Sequence, residues 1–190
     1  MKKFALTTLA VMAAVGVLAV QPADAKKVQQ DPAVSPIEMP MNDEIQQVNG
    51  VSKETNKETQ RLSNKLADAT KGMVKKNWKT IYVKAVPVGD KGAVRFYYVD
   101  NRGQVYNGQV IRNTGLSKGK YMAGSMRQTE ALQELVNHLQ RTGQEVPSSI
   151  DIIITQGGYR TKTIFNYGED TSNLPAYQQQ YEQQNFPTMK

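Results

Sequence analysis

The amino-acid sequence predicts an α+β fold, in which two helices cover one face of a five-stranded, mostly antiparallel sheet. Two stretches carry apolar residues three and four positions apart, the spacing of a helix face, while five shorter stretches alternate or are largely apolar, as strands are. A third observation is the turn sequence Asp100-Asn101-Arg102-Gly103, whose Asn and Gly tolerate the positive φ of a tight hairpin. The predicted order along the chain is helix, three strands, helix, two strands.

The first helix is predicted to run from about Ile45 to Val74, because Leu62, Leu66 and Met73 share one face. Three strands follow, the first two with alternating side chains, and short turns separate them. Connections this short make the three strands an antiparallel meander. Their predicted ranges are Lys79–Val86, Ala93–Val99 and Gln104–Ile111.

The second half of the pattern begins with a loop. Residues 112–125 are rich in glycine and serine, which predicts irregular structure there. A second helix is predicted over Met126–Arg141. Leu132 and Leu135 lie on its predicted core-facing side, and Gly143 ends it. The last two predicted strands are Ile150–Thr155 and Tyr159–Tyr167, with Gln156-Gly157-Gly158 turning the chain between them.

The beginning of the chain has the pattern of an export signal. Lys2 and Lys3 precede an apolar run, and Ala23-Asp24-Ala25 has the small-x-small form of a cleavage site. The alternative is a membrane anchor, for which an apolar run of about 17 residues is at the lower limit of length. We predict a signal peptide over residues 1–25, cleavage after Ala25, and a periplasmic or secreted location.

Three further segments are predicted beyond the signal peptide. Proline-rich residues 26–41 form a flexible leader, because proline at that density blocks helix and sheet hydrogen bonds. Residues 42–170 form a single α+β domain. Residues 171–190 form a glutamine-rich C-terminal tail, which is predicted to be mobile or loosely docked.

The sequence contains no recognisable pattern of catalytic residues. The single histidine, His138, lies four residues after Glu134, but one histidine and one carboxylate do not make a zinc site. The chain has no cysteine, which excludes disulfides, thiolate metal ligands and cysteine nucleophiles. No serine lies in a G-x-S-x-G elbow. We expect a protein without catalytic activity, metal or cofactor, in which His138 is a helix-surface histidine near a counter-charge.

The more informative feature is the sheet face opposite the helices. The net charge of +7 favours acidic partners, whether a protein patch, an anionic lipid or a nucleic acid, and the export signal argues against nucleic acid. Alternation places tyrosines and cations on that face, and the adjoining loop adds further cations. A solvated sheet, in which tyrosine simply reflects strand propensity, is the other interpretation. The predicted partner-binding residues are Tyr82, Lys84, Arg95, Tyr97, Arg160 and Lys162 on the sheet, with Arg112, Lys118, Lys120 and Tyr121 in the loop.

Several phrases of the sequence resemble those of YezG-type bacterial toxin-immunity proteins. Trp78-Lys-Thr-Ile-Tyr-Val resembles their entry into the first strand, and Arg95-Phe-Tyr-Tyr-Val resembles their tyrosine-rich second strand. The helix around Leu132, with the polar linker and strand that follow it, resembles their closing helix, and Ile164-Phe-Asn-Tyr-Gly resembles their last strand. The resemblance covers roughly residues 60–170.

This resemblance implies a small α+β antitoxin that binds a co-produced toxin and blocks it by occlusion. None of the shared phrases is catalytic, and none is a binding motif that assigns a role to a particular residue. The signal peptide, the proline-rich leader and the glutamine-rich tail depart from the family pattern. An exported member implies a toxin that acts in the periplasm, on cell wall or membrane. The alternative function is a non-catalytic, envelope-associated binding or structural module.

Overall fold

The fold is described by a computed structural model for residues 53–89, 92–157 and 160–189. The predicted signal peptide, the predicted leader and the first part of the predicted first helix lie outside these residues. The nine elements are α1 (Lys53–Lys71), β1 (Thr80–Val86), β2 (Ala93–Val99), β3 (Val105–Asn107), α2 (Ile111–Thr114), α3 (Lys118–Arg141), β4 (Ser149–Thr155), β5 (Arg160–Asn166) and α4 (Leu174–Asn185).

The strands form one sheet in the order β3-β2-β1-β4-β5, and every neighbouring pair is antiparallel. The predicted α+β class and antiparallel sheet are therefore confirmed. The hairpin between β2 and β3 also forms as predicted. The carboxylate of Asp100 accepts hydrogen bonds from the backbone N–H groups of Arg102 and Gln104, and Gly103 has φ 79°.

The helices α1 and α3 pack together on one face of the sheet, as predicted, and enclose the main hydrophobic core. Leu66 and Leu135 are fully buried against strand residues such as Ile81 and Ile152. A Cβ at Gly124 of α3 would lie 2.0 Å from the sulfur of the buried Met73, just after α1, so this close approach favours glycine. This contact fixes which side of α3 faces the protein.

The prediction for residues 104–125 is wrong in two respects. The third strand ends at Asn107 instead of Ile111, because the chain turns there: the Asn107 side chain accepts a hydrogen bond from the Gln109 backbone N–H, and its backbone carbonyl accepts one from Val110. The predicted loop consists largely of α2 and the first turns of α3, which Gly115 separates at φ 76°. Glycine and serine lower helix propensity, but packing of α3 against α1 outweighs that preference.

The expectation of a mobile or loosely docked tail is corrected as well. Residues 174–185 form α4, whose N-cap residue Asn173 accepts a hydrogen bond from the Ala176 backbone N–H, and Pro175 lies in the first turn. Phe186, directly after the helix, is buried. The helix lies on the sheet face opposite α1 and α3, so helices cover both faces.

Candidate partner-binding surfaces

The strand register confirms which side chains share each face of the sheet. Tyr82 pairs with Tyr97, and Lys84 lies between Arg95 and Asp151 on the neighbouring strands. Because side chains alternate across a sheet, these residues share the face opposite α1 and α3. Sequence reasoning therefore identified the right side chains for this face, but it treated the face as open.

The C-terminal segment covers this face through aromatic contacts. The Phe186 ring lies 4.5 Å from the Tyr97 ring and 5.5 Å from the Tyr82 ring, measured between centroids. Tyr181 adds a third ring, 6.0 Å from Tyr97. Tyr97, Val99 and Phe186 belong to a second hydrophobic cluster, separate from the main core. The helix is thus anchored at its C-terminal end by apolar burial.

The other anchor of α4 is a buried lysine. The Lys84 ammonium lies 3.0 Å from Asp151 Oδ2 and 3.8 Å from Glu169 Oε2, and its side chain is 4% exposed. Two rings of α4 lie over it, those of Tyr181 at 4.9 Å and Tyr177 at 5.4 Å. Burial alone lowers the pKa of Lys84, but the Asp151 charge and hydrogen bonds to Tyr177 and Asp151 outweigh it, so the pKa is raised.

The carboxylate of Glu169 links the sheet to α4. It accepts hydrogen bonds from Ser149 Oγ and from the Tyr177 hydroxyl, the latter at 2.6 Å. Burial by itself raises the pKa of Glu169. These hydrogen bonds and the Lys84 charge lower the pKa by a larger amount, so the net shift is downward. The lysine, the carboxylates and the tyrosines form one polar network under the helix.

Two predicted contact residues are held by a third carboxylate. The Tyr97 hydroxyl donates to Glu182 Oε1 at 2.8 Å, and Arg95 donates to the same oxygen at 3.2 Å. Burial and the hydrogen bond to Glu182 raise the pKa of Tyr97. Tyr97 and Lys84 are buried under α4, so the structure contradicts the prediction that they lie on an open surface. The long-range partners that bury them lie in the tail, which sequence reasoning had not placed.

The remaining predicted residues occupy two other places. On β5, at the edge of the sheet, Arg160 is exposed and Lys162 is partly buried. Tyr121 points toward the protein, where it is partly buried and its hydroxyl bonds Gln109 Oε1 at 3.3 Å. Arg112 on α2 and Lys118 and Lys120 in the first turns of α3 are exposed, but on helices and not in a loop.

Two lysines missed by sequence reasoning extend this basic region. The Lys75 backbone N–H donates to the Thr114 carbonyl at 2.9 Å, and a Cβ at Gly115 would lie 3.4 Å from Lys75 and 3.5 Å from Lys76. Both lysines are exposed. We define the basic corner as Lys75, Lys76, Arg112, Lys118 and Lys120. Within the part of the chain that the structure describes, no carboxylate forms a salt bridge with any of the five.

The prediction that His138 lies on the helix surface near a counter-charge is wrong, because this residue packs between α3 and α1. His138 is buried, and its Nε2 lies 3.1 Å from Thr59 Oγ1 and 3.3 Å from the Thr55 carbonyl oxygen of α1. Glu134 points elsewhere and pairs with Lys65 at 2.6 Å. Among residues 53–89, 92–157 and 160–189, no three His, Asp or Glu side chains group as a metal site. None of the described helices has the length and apolar content to cross a membrane.

Comparison with curated proteins finds no match to the chain. A protein-family model described as "Immunity protein YezG-like" matches residues 59–188, which is more than half of the chain. The match extends beyond the resemblance seen in the sequence and includes the whole of α4. The matched residues contain all five strands, most of α1, and the whole of α3 and α4. The chain belongs to the YezG-like immunity protein family.

Proposed function

We propose that this chain is an exported immunity protein that binds a cognate toxin outside the cytoplasm and blocks it by occlusion. The observation that carries the proposal is the family match over residues 59–188, because an immunity protein has a toxin as its partner. The basic corner gives the domain an exposed positive surface, which favours a toxin with an acidic contact surface.

Inhibition by occlusion needs no catalytic residue in the inhibitor. The groups that could have carried chemistry have structural contacts instead: His138 bonds α1, and Glu134 pairs with Lys65. In this proposal the domain acts as a rigid surface that covers the toxin's active site. Neither a cofactor nor a metal takes part.

The export part of the proposal rests on the sequence Ala23-Asp24-Ala25 after an apolar run. Intact-mass measurement of the protein recovered from the cell envelope tests it. The expected mass corresponds to a chain that begins at Lys26. A membrane-bound form that retains Met1 would contradict export by a cleaved signal.

Protection of living cells tests the function as a whole. The toxin encoded beside this chain is directed to the periplasm of a test strain that carries the full chain or a version without residues 1–25. We expect survival only with the full chain, and a stoichiometric complex of the two proteins on purification. The proposal would be refuted if the toxin killed cells carrying the full chain as readily as cells carrying the version without residues 1–25, with both proteins present at equal levels.

The unpaired basic corner also favours a second candidate, a module that binds anionic envelope components. Five cations without carboxylate partners in the described residues attract lipid phosphates or wall polymers as well as acidic proteins. Salt-sensitive sedimentation with phosphatidylglycerol vesicles, with no protein partner on purification, would favour this candidate over immunity.

A further inference from the structure

The outer side of α3 carries an exposed apolar stripe close to the basic corner. Met122 is 56% exposed and Met126 is 64% exposed, although both are large apolar side chains. They are four residues apart, so they lie one turn apart on the same side of the helix. Gly119 and Ala123 are exposed as well. We define the apolar stripe as Gly119, Met122, Ala123 and Met126.

The orientation of this stripe is fixed by the opposite side of the helix. Gly124 packs against Met73, Gln128 donates a hydrogen bond to Thr70 Oγ1 at 2.9 Å, and Leu132 is buried in the main core. These contacts with α1 and the sheet prevent rotation of α3 about its axis. The methionines therefore cannot turn inward to remove their apolar surface from water.

The cations beside the stripe do not stabilise the helix that carries them. Lys118 and Lys120 lie in the first turn of α3, where the helix dipole disfavours positive charge. Lys118 lies one turn before Met122, which places positive charge at one end of the stripe. Within the described residues these cations have no carboxylate partner, so the fold gains nothing evident from them.

Gly119 is a third feature that the fold does not require. A Cβ at this position meets nothing within 4 Å, and no positive φ is needed there. Glycine in a helix lowers its stability relative to alanine. A glycine that is neither packed nor conformationally required is explained if another molecule approaches the helix backbone closely at that point.

We infer that the apolar stripe and the basic corner together form the surface that binds the toxin. The inference rests on the proposed immunity function and adds the chemistry of the contact. The occupant is a protein surface with a small apolar patch flanked by Asp and Glu carboxylates. Methionine and arginine are enriched at protein interfaces, and the cations steer an acidic partner toward the stripe.

The composition of α3 favours a protein over a membrane as the occupant. Helices that lie on membranes bury a long apolar side containing Trp, Phe or Leu in the bilayer interface. The leucines of α3 are used in the core, and beyond Met126 its outer side continues with polar residues such as Glu130 and Asn137. Two methionines are enough for a small complementary patch on a protein, and too few to hold the helix in lipid.

The test measures affinity for the purified toxin domain encoded beside this chain, in an inactive form. Met122→Gln/Met126→Gln should weaken binding about tenfold or more, since central interface residues dominate affinity. The matched control is Val88→Gln/Tyr167→Gln, which removes two other exposed apolar side chains and should bind as the parent does. Met122→Leu/Met126→Leu should retain most of the affinity.

The charge arm uses Lys118→Glu/Lys120→Glu, which should slow association about tenfold and flatten its salt dependence. Its control, Lys57→Glu/Arg102→Glu, changes the net charge equally at exposed sites elsewhere and should have a much smaller effect. Gly119→Ala should leave the melting temperature unchanged or raise it while weakening toxin binding. All variants are first checked for parental melting behaviour.

The outcomes separate this inference from the proposed function. If the parent binds the toxin and the stripe and charge variants bind equally well, the inference is wrong and the immunity function stands. If the parent neither binds the toxin nor protects cells, the immunity function fails and the inference fails with it. If the same variants lose binding to phosphatidylglycerol vesicles and not to the toxin, the surface binds a membrane and the inference is overturned.

Discussion

The two faces of the sheet are covered by helices in different ways. Under α1 and α3 the sheet presents apolar side chains such as Ile81, Phe96 and Ile152, all fully buried. Under α4 it presents Tyr97 and Lys84, which are buried with hydrogen bonds and charge partners from distant parts of the chain. One interface is held mainly by apolar area, the other by a small aromatic cluster and a buried polar network.

This difference implies different responses to perturbation. An apolar interface loses stability in proportion to the volume removed. A buried polar interface depends on every partner being present, because an unmatched charge or donor retains its desolvation cost. We expect α1, α3 and the sheet to unfold together, and α4 to detach from them more readily.

The largest effect is expected from Leu66→Ala, at a fully buried position of α1. The cavity should lower the free energy of global unfolding by about 2–5 kcal/mol. Urea unfolding followed by circular dichroism measures it. The matched variant is Phe186→Ala, which should lower global stability less and remove hydrogen-exchange protection mainly from α4. Equal global losses for the two variants would show that both faces form a single cooperative unit.

The next effect concerns the ion pair under α4. Lys84→Met should cost about 1–3 kcal/mol, because Asp151 and Glu169 keep their charges without the ammonium that neutralises them. Asp151 retains a hydrogen bond from Asn166 at 2.6 Å and is 21% exposed, which limits the loss. Adding Asp151→Asn should recover part of the stability. If Lys84→Met alone unfolded at the same urea concentration as the parent, that result would argue against a buried, coupled network.

A smaller effect is expected from alkaline pH. Burial raises the pKa values of Tyr97 and Tyr181, and the Asp151 charge outweighs burial to raise that of Lys84. Each folded pKa lies above its unfolded value, so the stabilisation is fully present below about pH 10 and is lost as the pH rises through the folded values. This loss should be smaller than that of Lys84→Met, since the neutral amine can still donate a hydrogen bond.

Urea unfolding at pH 8, 10 and 11, together with tyrosinate absorbance, measures this dependence. Tyr97→Phe/Tyr181→Phe removes two of the titrating groups and should lose less stability between pH 8 and pH 11. The same pH slope in parent and variant would place the alkaline sensitivity outside the α4 interface.

The smallest effect belongs to the outer surface of the α1–α3 pair. Lys65 and Glu134 lie 2.6 Å apart, but each side chain is 47% exposed. Water screens exposed ion pairs, so Lys65→Ala should change the free energy of unfolding by about 0.5 kcal/mol or less. Thermal melts at low and high salt check this. If Lys65→Ala lowered the free energy of unfolding as much as Lys84→Met, burial would not be what makes one ion pair stronger than the other.

Sequence reasoning located most of the sheet and missed what covers it. β2 and both faces of β1 followed from alternation, which is a local property of strand geometry. The start of α3 was missed, because the glycines at 119 and 124 lower helix propensity while packing against α1 compensates for them. A signal for α4 was present, since Tyr177 and Tyr181 are one turn apart and Asn173 and Pro175 form a helix start.

The candidate sites divide in the same way. The cations Arg112, Lys118 and Lys120 were recognised by their charge and are exposed in the structure, whereas Lys75 and Lys76 join them only because the α1–β1 connection packs beside Gly115. The exposed methionines could not be recognised, because Met122 fell in the predicted loop and Met126 at the predicted helix start, so their shared outer side depends on the observed start of α3.

The sequence by itself determined four of the five strands, the residues on each face, the leucine side of α3 and a net charge of +7, because each depends on composition or on spacing within one element. The tertiary structure decided that the second face is closed. Lys84 meets Asp151 across 67 residues, and Tyr97 meets Glu182 across 85. No local pattern links such partners. Lys84 and Asp151 meet because β1 pairs with β4, whereas Glu182 reaches Tyr97 because α4 gains buried aromatic area and hydrogen-bond partners when it packs on that face.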